Sequence, residues 1–234
     1  VVATMDTKGE EARWVAERIR QAGQAALTVD VSASNQVVAP ADVNRSSVLA
    51  AGNLDPAQLS ADRGEAVGQV SVCLGEYLVA EYAAGRVAGV IGLGGSGGTS
   101  LIAAAVRRLP IGLPKLIVST VASGNTSAYI DCSDLVLFPS VVDVAGLNAV
   151  SMDVLQSAAH AMLGMVERRS NIMSTKPLLG LTMFGVTTQC VMAVKQELEQ
   201  DGWECLIFHA VGTGGRAMER LVESGRIVGV LDLT

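Results

Sequence analysis

The sequence predicts an α/β fold: a Rossmann-like, mostly parallel sheet with helices on both faces, followed by a partial second α/β subdomain. Three observations predict it. Short apolar runs alternate with helical spacing along the 234 residues, the pattern of βαβ units. The stretch "VAGVIGLGGSGGTSLIAAAV" (87–106) holds six glycines and no charge, and reads as strand, tight loop and helix. The chain also echoes itself. "VVATMDTKGEEA" opens it, "LGLTMFGVTTQC" opens a later part, and "GRVAGVIGL" (85–93) matches "GRIVGVLDL" (225–233). Any two βαβ units share such patterning, so the echo reads either as a duplication or as common architecture.

Val1 to Met5 is apolar and predicts a strand. In "DTKGEEARWVAERIRQAG", Thr7 followed by Glu10 fits a capping box and Gly23 fits a helix stop. Ala25 to Val31 predicts the next strand. Residues 32–62 are rich in Ser, Asn, Pro and Asp, an excursion with room for one short helix. Helical spacing returns over 63–84 and Gly85 closes it. Val87 to Ile91 suits a buried strand. Thr99 is the expected N-cap of a helix that ends at Arg107-Arg108 before Pro110. Strands follow at Lys115–Thr120 and Leu135–Phe138. A helix over 148–167 places Val150, Val154, Ala158, Met162 and Met165 on one face, and His160 on the other. "RRSNIMSTKP" (168–177) reads as a linker. The organisation predicted is an N-terminal nucleotide-binding subdomain over 1–170 and the start of a second over 178–234. In the second, Leu178–Met183 and Ile227–Leu231 are strands. Thr234 falls where the first half begins its glycine loop, so this subdomain reads as truncated.

Half of the residues are hydrophobic and only 3 % aromatic, so the core is built from Val, Leu, Ala and Ile. A net charge of −6 argues against a binder of the nucleic-acid backbone. No segment reads as a secretion signal or an uninterrupted membrane span. Cys73, Cys132, Cys190 and Cys205 lack metal-ligand spacing, and only His160 and His209 could join them, so no metal site is expected. The cysteines read as small core residues of a cytoplasmic protein.

The chemistry centres on "GLGGSGGTS". Gly92, Gly94 and Gly97 satisfy GxGxxG between a strand and a helix, where backbone N–H groups and the helix N-terminus suit a phosphate. A dinucleotide site also wants an acidic residue about 20 positions on. None stands between Gly98 and Ile130, and the P-loop lysine is missing too. An anion loop of another kind survives, against a plain tight turn as the structural alternative. The same letters fit G-x-S-x-G, with Ser96 as nucleophile, His209 downstream and Asp131, Asp134 or Asp143 between.

In a parallel sheet the loops after the strands' C-terminal ends share one edge. That edge would gather Asp6, Thr7 and Lys8, the glycine loop, Ser119 to Asn125, and Asp143 to Asn148. Lys8 is the cation placed to meet a phosphate, unless it is an ordinary solvated lysine. Asp6 suits a ribose hydroxyl or a metal-bound water, or supports the Thr7 turn. "GTGGRAME", with Arg216, reads as a second anion loop or as a connector.

The motifs "DTKGEE", "DRGEA", "GVIGLGGSGGTSL", "LPIGLPKLIVSTVASGNT", "SDLVLFPSVVDVAGLN", "TMFGVTTQCV" and "FHAVGTGGRAME" run through the whole chain. They resemble the bacterial proteins similar to the tomato mosaic virus resistance protein, a family whose common region is called an ATP-binding domain. The resemblance implies two α/β subdomains, bound ATP with or without Mg, and homodimers. It also implies members longer than this chain. It carries over one candidate pocket: Asp6, Thr7 and Lys8; Gly94, Gly95, Ser96, Gly97, Gly98 and Thr99; and Ser123, Gly124 and Asn125. Two functions stay open, an ATP-responsive binding or regulatory module and an enzyme acting on a nucleotide or phosphorylated metabolite.

Overall fold

The computed structural model describes residues 1–33, 40–167 and 174–234. It divides into two compact units: Val1–Ile130 with Asp134–Arg169, and Asp131–Ser133 with Ser170–Thr234. Most of the expected linker, 168–173, lies outside the described residues.

The first unit is a five-stranded parallel sheet. Its strands are β1 (Val2–Ala3), β2 (Val29–Asp30), β3 (Val90–Gly94), β4 (Lys115–Ser119) and β5 (Val136–Pro139), in spatial order β2-β1-β3-β4-β5. The helices are α1 (Met5–Gln21), α2 (Arg45–Ala51), α3 (Arg63–Ala83), α4 (Ser96–Val106), α5 (Ser127–Ile130) and α6 (Ala149–Glu167). Alternation along the strands builds the two faces. Val2, Val29, Val90 and Ile117 point into a cluster with Leu49, Leu74 and Ile102 from α2, α3 and α4. Ala3, Ile91, Leu93, Leu116 and Val118 point the other way, against Val15 of α1 and Leu155 and Met162 of α6. Both faces are covered, so β3 and β4 are buried along their whole length.

Several expectations are corrected. Strand β1 spans only Val2–Ala3, because a helical turn begins at Met5. Thr7 and Glu10 form no capping box. Thr4 is the N-cap, its hydroxyl paired with that of Thr7 at 2.8 Å, and the chain leaves helical geometry at Lys8 before α1 continues. Thr99 does not cap α4. Helix α4 starts four residues earlier, at Ser96 behind Gly95, because Thr99 is drawn into the interior by its hydroxyl bonds. Val150 is exposed; the buried face of α6 runs instead through Ser151, Leu155, Ala158, Met162 and Leu163. Of the cysteines, Cys73 and Cys205 are buried, Cys132 is half-buried and Cys190 is exposed. His160 is exposed, as its helical position predicts.

The second unit is a three-stranded parallel sheet of β6 (Leu178–Met183), β7 (Glu204–His209) and β8 (Ile227–Leu231), ordered β7-β6-β8. Helices α7 (Thr188–Gln200) and α8 (Thr213–Glu223) connect them. The first three strands of unit 1, ordered β2-β1-β3, have the same connectivity and the same parallel sense. The sequence echo therefore falls on matching topology.

Candidate functional site

A parallel sheet with this strand order has a topological switch point. From β1 the chain steps outward to β2, then returns to the other side of β1 as β3. The connections leave β1 and β3 towards opposite faces, which opens a crevice beyond their carboxyl ends. Ala3 pairs with Leu93, so Asp6–Lys8 and Gly94–Thr99 follow neighbouring strands at that point. Gly94 pairs with Ser119, so the turn holding Ser123–Asn125 follows the next strand along. All three candidate segments thus reach one edge of unit 1.

The two helices leaving the switch point start differently. The beginning of α1 is closed by the protein's own groups. One oxygen of buried Asp30 accepts the Met5 N–H at 3.2 Å, and the Ser32 N–H and hydroxyl at 2.9 and 2.5 Å. The Asp6 N–H donates to the Ser32 hydroxyl. Helix α4 begins on Gly95 with no capping side chain. Its first-turn N–H groups, from Ser96, Gly97 and Gly98, have no preceding turn to donate to, and the helix dipole adds partial positive charge there.

The glycines of this loop do two jobs. A Cβ on Gly94 would sit 2.4 Å from the Thr99 nitrogen and 2.7 Å from the Gly98 carbonyl carbon, so only glycine lets the loop fold back on the strand end. A Cβ on Gly97 would meet nothing within 4 Å. Gly97 and Ser96 are exposed, while Thr99 is fully buried. The loop therefore presents bare backbone outward on a closely packed base.

Lys8 is half-buried, and its ammonium donates to the Val144 carbonyl at 2.6 Å. One turn on, buried Glu11 accepts the Gly146 N–H at 2.6 Å. These two α1 side chains clamp the loop between β5 and α6. Asn125 accepts from the Ser127 N–H and hydroxyl and so starts α5, leaving Ser123 and Gly124 exposed beside it. Sequence reading missed Asp30, Ser32 and Glu11. The signal for Asp30 was an acid ending a strand about 25 residues after β1, where a doubly wound fold often uses one.

Ser96 is the first residue of α4, and His160, the histidine of its own unit, sits within α6. His209 ends β7 in the second unit, stacked on Phe184 with ring centroids 5.9 Å apart. In that unit Thr182 donates to Asp232 at 2.6 Å. Hydrogen bonds from the hydroxyls of Thr182 and then Thr234 hold the Asp232 carboxyl below the ordinary carboxylate range. Helix α8 starts on Gly212 at φ +52° without a capping side chain. Among the described residues no group of three His, Cys, Asp or Glu is placed to hold a metal ion, and no helix is long and apolar enough to cross a membrane. A cavity of about 300 Å³ lies at the opposite end of the first sheet, lined by Val1, Leu27, Val90 and Met162. None of the candidate residues lines it.

Two family models match the chain: the uncharacterised protein family UPF0261 N-terminal domain over residues 1–171 and its C-terminal domain over 176–234. The chain belongs to the UPF0261 family. A UPF0261 protein of Rhizobium meliloti is 47 % identical over 236 residues, which cover the whole of this chain and 58 % of that protein. One from Clostridium tetani is 40 % identical over 240 residues, again the whole of this chain and 59 % of the relative. The ToMV resistance protein Tm-1(GCR237) of Solanum lycopersicum is 46 % identical over 256 residues, covering all of this chain and 34 % of the tomato protein. This UPF0261 chain thus spans just under three-fifths of the bacterial relatives' length and a third of the plant one's. The similarity to the tomato protein agrees with the resemblance read from the motifs.

Proposed function

We propose that this protein binds a phosphorylated ligand, with ATP as the ligand the family resemblance singles out, on the backbone N–H groups of Gly94–Thr99. The observation that carries the reading is the uncapped N-terminus of α4 at the switch point, where exposed Gly97 carries no side chain and exposed Ser96 only a small hydroxyl. The neighbouring α1 start is filled by Asp30, so of the two helices leaving the switch point α4 is the one left open. Asp6–Lys8 and Ser123–Asn125 follow the adjacent strands and flank it, with exposed Thr7 and Ser123 the side chains that meet the rest of the ligand. A binding or regulatory module is the preferred form of this function. The same reading includes a homodimer and a cytoplasmic setting, with which the four free thiols agree.

Titration calorimetry with ATP on the wild-type chain and on Gly97→Val tests the reading. The added side chain meets open space, so the variant should fold while its bulk blocks the loop. Binding should be lost. Unchanged affinity sinks the phosphate site. Release of phosphate from ATP by the wild type, absent in Gly97→Val, would make the protein an enzyme rather than a module. A fluorophosphonate adduct on Ser96 would favour a serine hydrolase instead.

A further inference from the structure

Beneath the glycine loop lie two buried hydroxyls that the backbone site does not use directly. Thr99 is 0 % and Ser119 1 % exposed. The Val121 N–H donates to the Ser119 hydroxyl at 3.2 Å, the Ser119 and Thr99 hydroxyls are 2.7 Å apart, and Thr99 donates to the Gly94 carbonyl at 3.3 Å. The Ser119 hydroxyl already accepts from Val121, and the Gly94 carbonyl can only accept. Every group is satisfied when Ser119 donates to Thr99, so the run has one direction. The same carbonyl receives the Thr120 N–H at 3.3 Å. One end of the run is the turn after β4, which leads to Ser123–Asn125. The other end is the carbonyl that precedes Gly95, whose conformation aims the first N–H groups of α4.

We propose that Thr99 and Ser119 are positioning residues that join the β3 glycine loop and the β4 turn into one binding element. A phosphorylated ligand then places its phosphate on the first loop and its remaining polar groups on the second. The proposal rests on the phosphate reading given above. At Thr99, valine would fill the same slot without burying a polar group, and at Ser119 the local turn needs the hydroxyl only as an acceptor for the Val121 N–H, not as the donor to Thr99. The hydroxyls instead fix the Gly94 carbonyl relative to the next strand's turn.

The experiment measures ATP and inorganic phosphate affinity by calorimetry, together with thermal unfolding, for Thr99→Val, Ser119→Ala, the double variant and the conservative Thr99→Ser. Thr99→Val and Ser119→Ala should each weaken ATP by about tenfold, the equivalent of one well-placed hydrogen bond. The double variant should lose little more than either single one, because the run acts as a unit. Thr99→Ser should keep near wild-type affinity. If Ser119→Ala fails to fold, Ser119→Cys, of similar size and with a weak donor, takes its place. Lower thermal stability with ATP affinity unchanged overturns the proposal and leaves the pair structural. Loss of binding in Gly97→Val but not in the hydroxyl variants overturns this proposal alone. A wild-type chain that binds neither ATP nor phosphate overturns it together with the phosphate reading.

Discussion

Gly94 and Gly97 are three residues apart and carry opposite expectations. A methyl group on Gly94 would lie 2.4 Å from the Thr99 backbone nitrogen, and backbone cannot yield as a flexible side chain can. Gly94→Ala should therefore push α4 away from β3 and lower stability by about 1–3 kcal/mol, the usual cost of overpacking. Urea unfolding measures it; a midpoint equal to wild type would show that the loop base is looser than these distances. Gly97→Val should show the reverse pattern, ordinary stability with lost ligand binding. The sequence told only that the loop was rich in glycine. It did not tell which glycine serves packing, because that depends on where Thr99 points. Thr99 points inward because Ser119, 20 residues on, offers it a partner. A pairing over that distance leaves no local pattern to read. The same holds for Asp30, which closes the start of α1 from 25 residues away and displaces the capping box expected of Thr7 and Glu10.

Among the elements, β4, α3 and α6 were legible because apolar periodicity and glycine or proline stops set their bounds. Strand β3 was expected at Val87–Ile91 but runs over Val90–Gly94, because Gly92 and Gly94 pair in the ladder instead of opening the loop. The short strands β1 and β2 were overdrawn. Their flanking apolar residues serve the helix start and the loop rather than the ladder. Strand β4 also begins on a feature that periodicity hides, a fully buried lysine. The Lys115 side chain is 0 % exposed; its ammonium bonds the Pro110 and Leu113 carbonyls and pairs with Asp134 at 2.7 Å. Burial alone would raise the Asp134 carboxyl. The hydrogen bonds from Lys115 and the Gly112 N–H outweigh it and hold the group below its ordinary value. A carboxyl depressed in the folded state adds stability above its unfolded pKa of about 3.9, and that stability is lost as pH falls through the lower folded value. Asp134→Asn should destabilise the chain at pH 7 by more than the ~0–1 kcal/mol of a surface pair, because Lys115 stays buried. The gap between variant and wild type should narrow below about pH 4. Urea midpoints at pH 7 and pH 3 check this, and a gap that does not change with pH would remove Asp134 from the acid response.

At the scale of the whole molecule the two units repeat one topology on unequal cores. The first unit buries two continuous clusters, one on each face of its sheet, around β3 and β4. The second has one small cluster, with Leu179, Leu181, Val191 and Cys205 as its buried members. Helix α8 has no buried residue, and Val228 and Val230 of β8 are 64 % and 43 % exposed. Burial of apolar area is the main favourable term in folding, at about 25 cal/mol per Å². Local opening should therefore follow the distribution of that area. In native-state hydrogen exchange at rising urea, the amides of α8 and β8 should exchange first. Those of β6 and β7 should follow, and those of β3 and β4 should persist to the global transition. Limited proteolysis should likewise leave the first unit as the longer-lived product. Saturating ATP should slow exchange at Ser96–Gly98 and in the turn after β4 while leaving the order of the units unchanged, because the proposed site lies wholly within the first sheet's edge. Equal protection of β3 and β6 up to one shared transition would show a single cooperative body, and the repeated topology would then have no separate energetic identity.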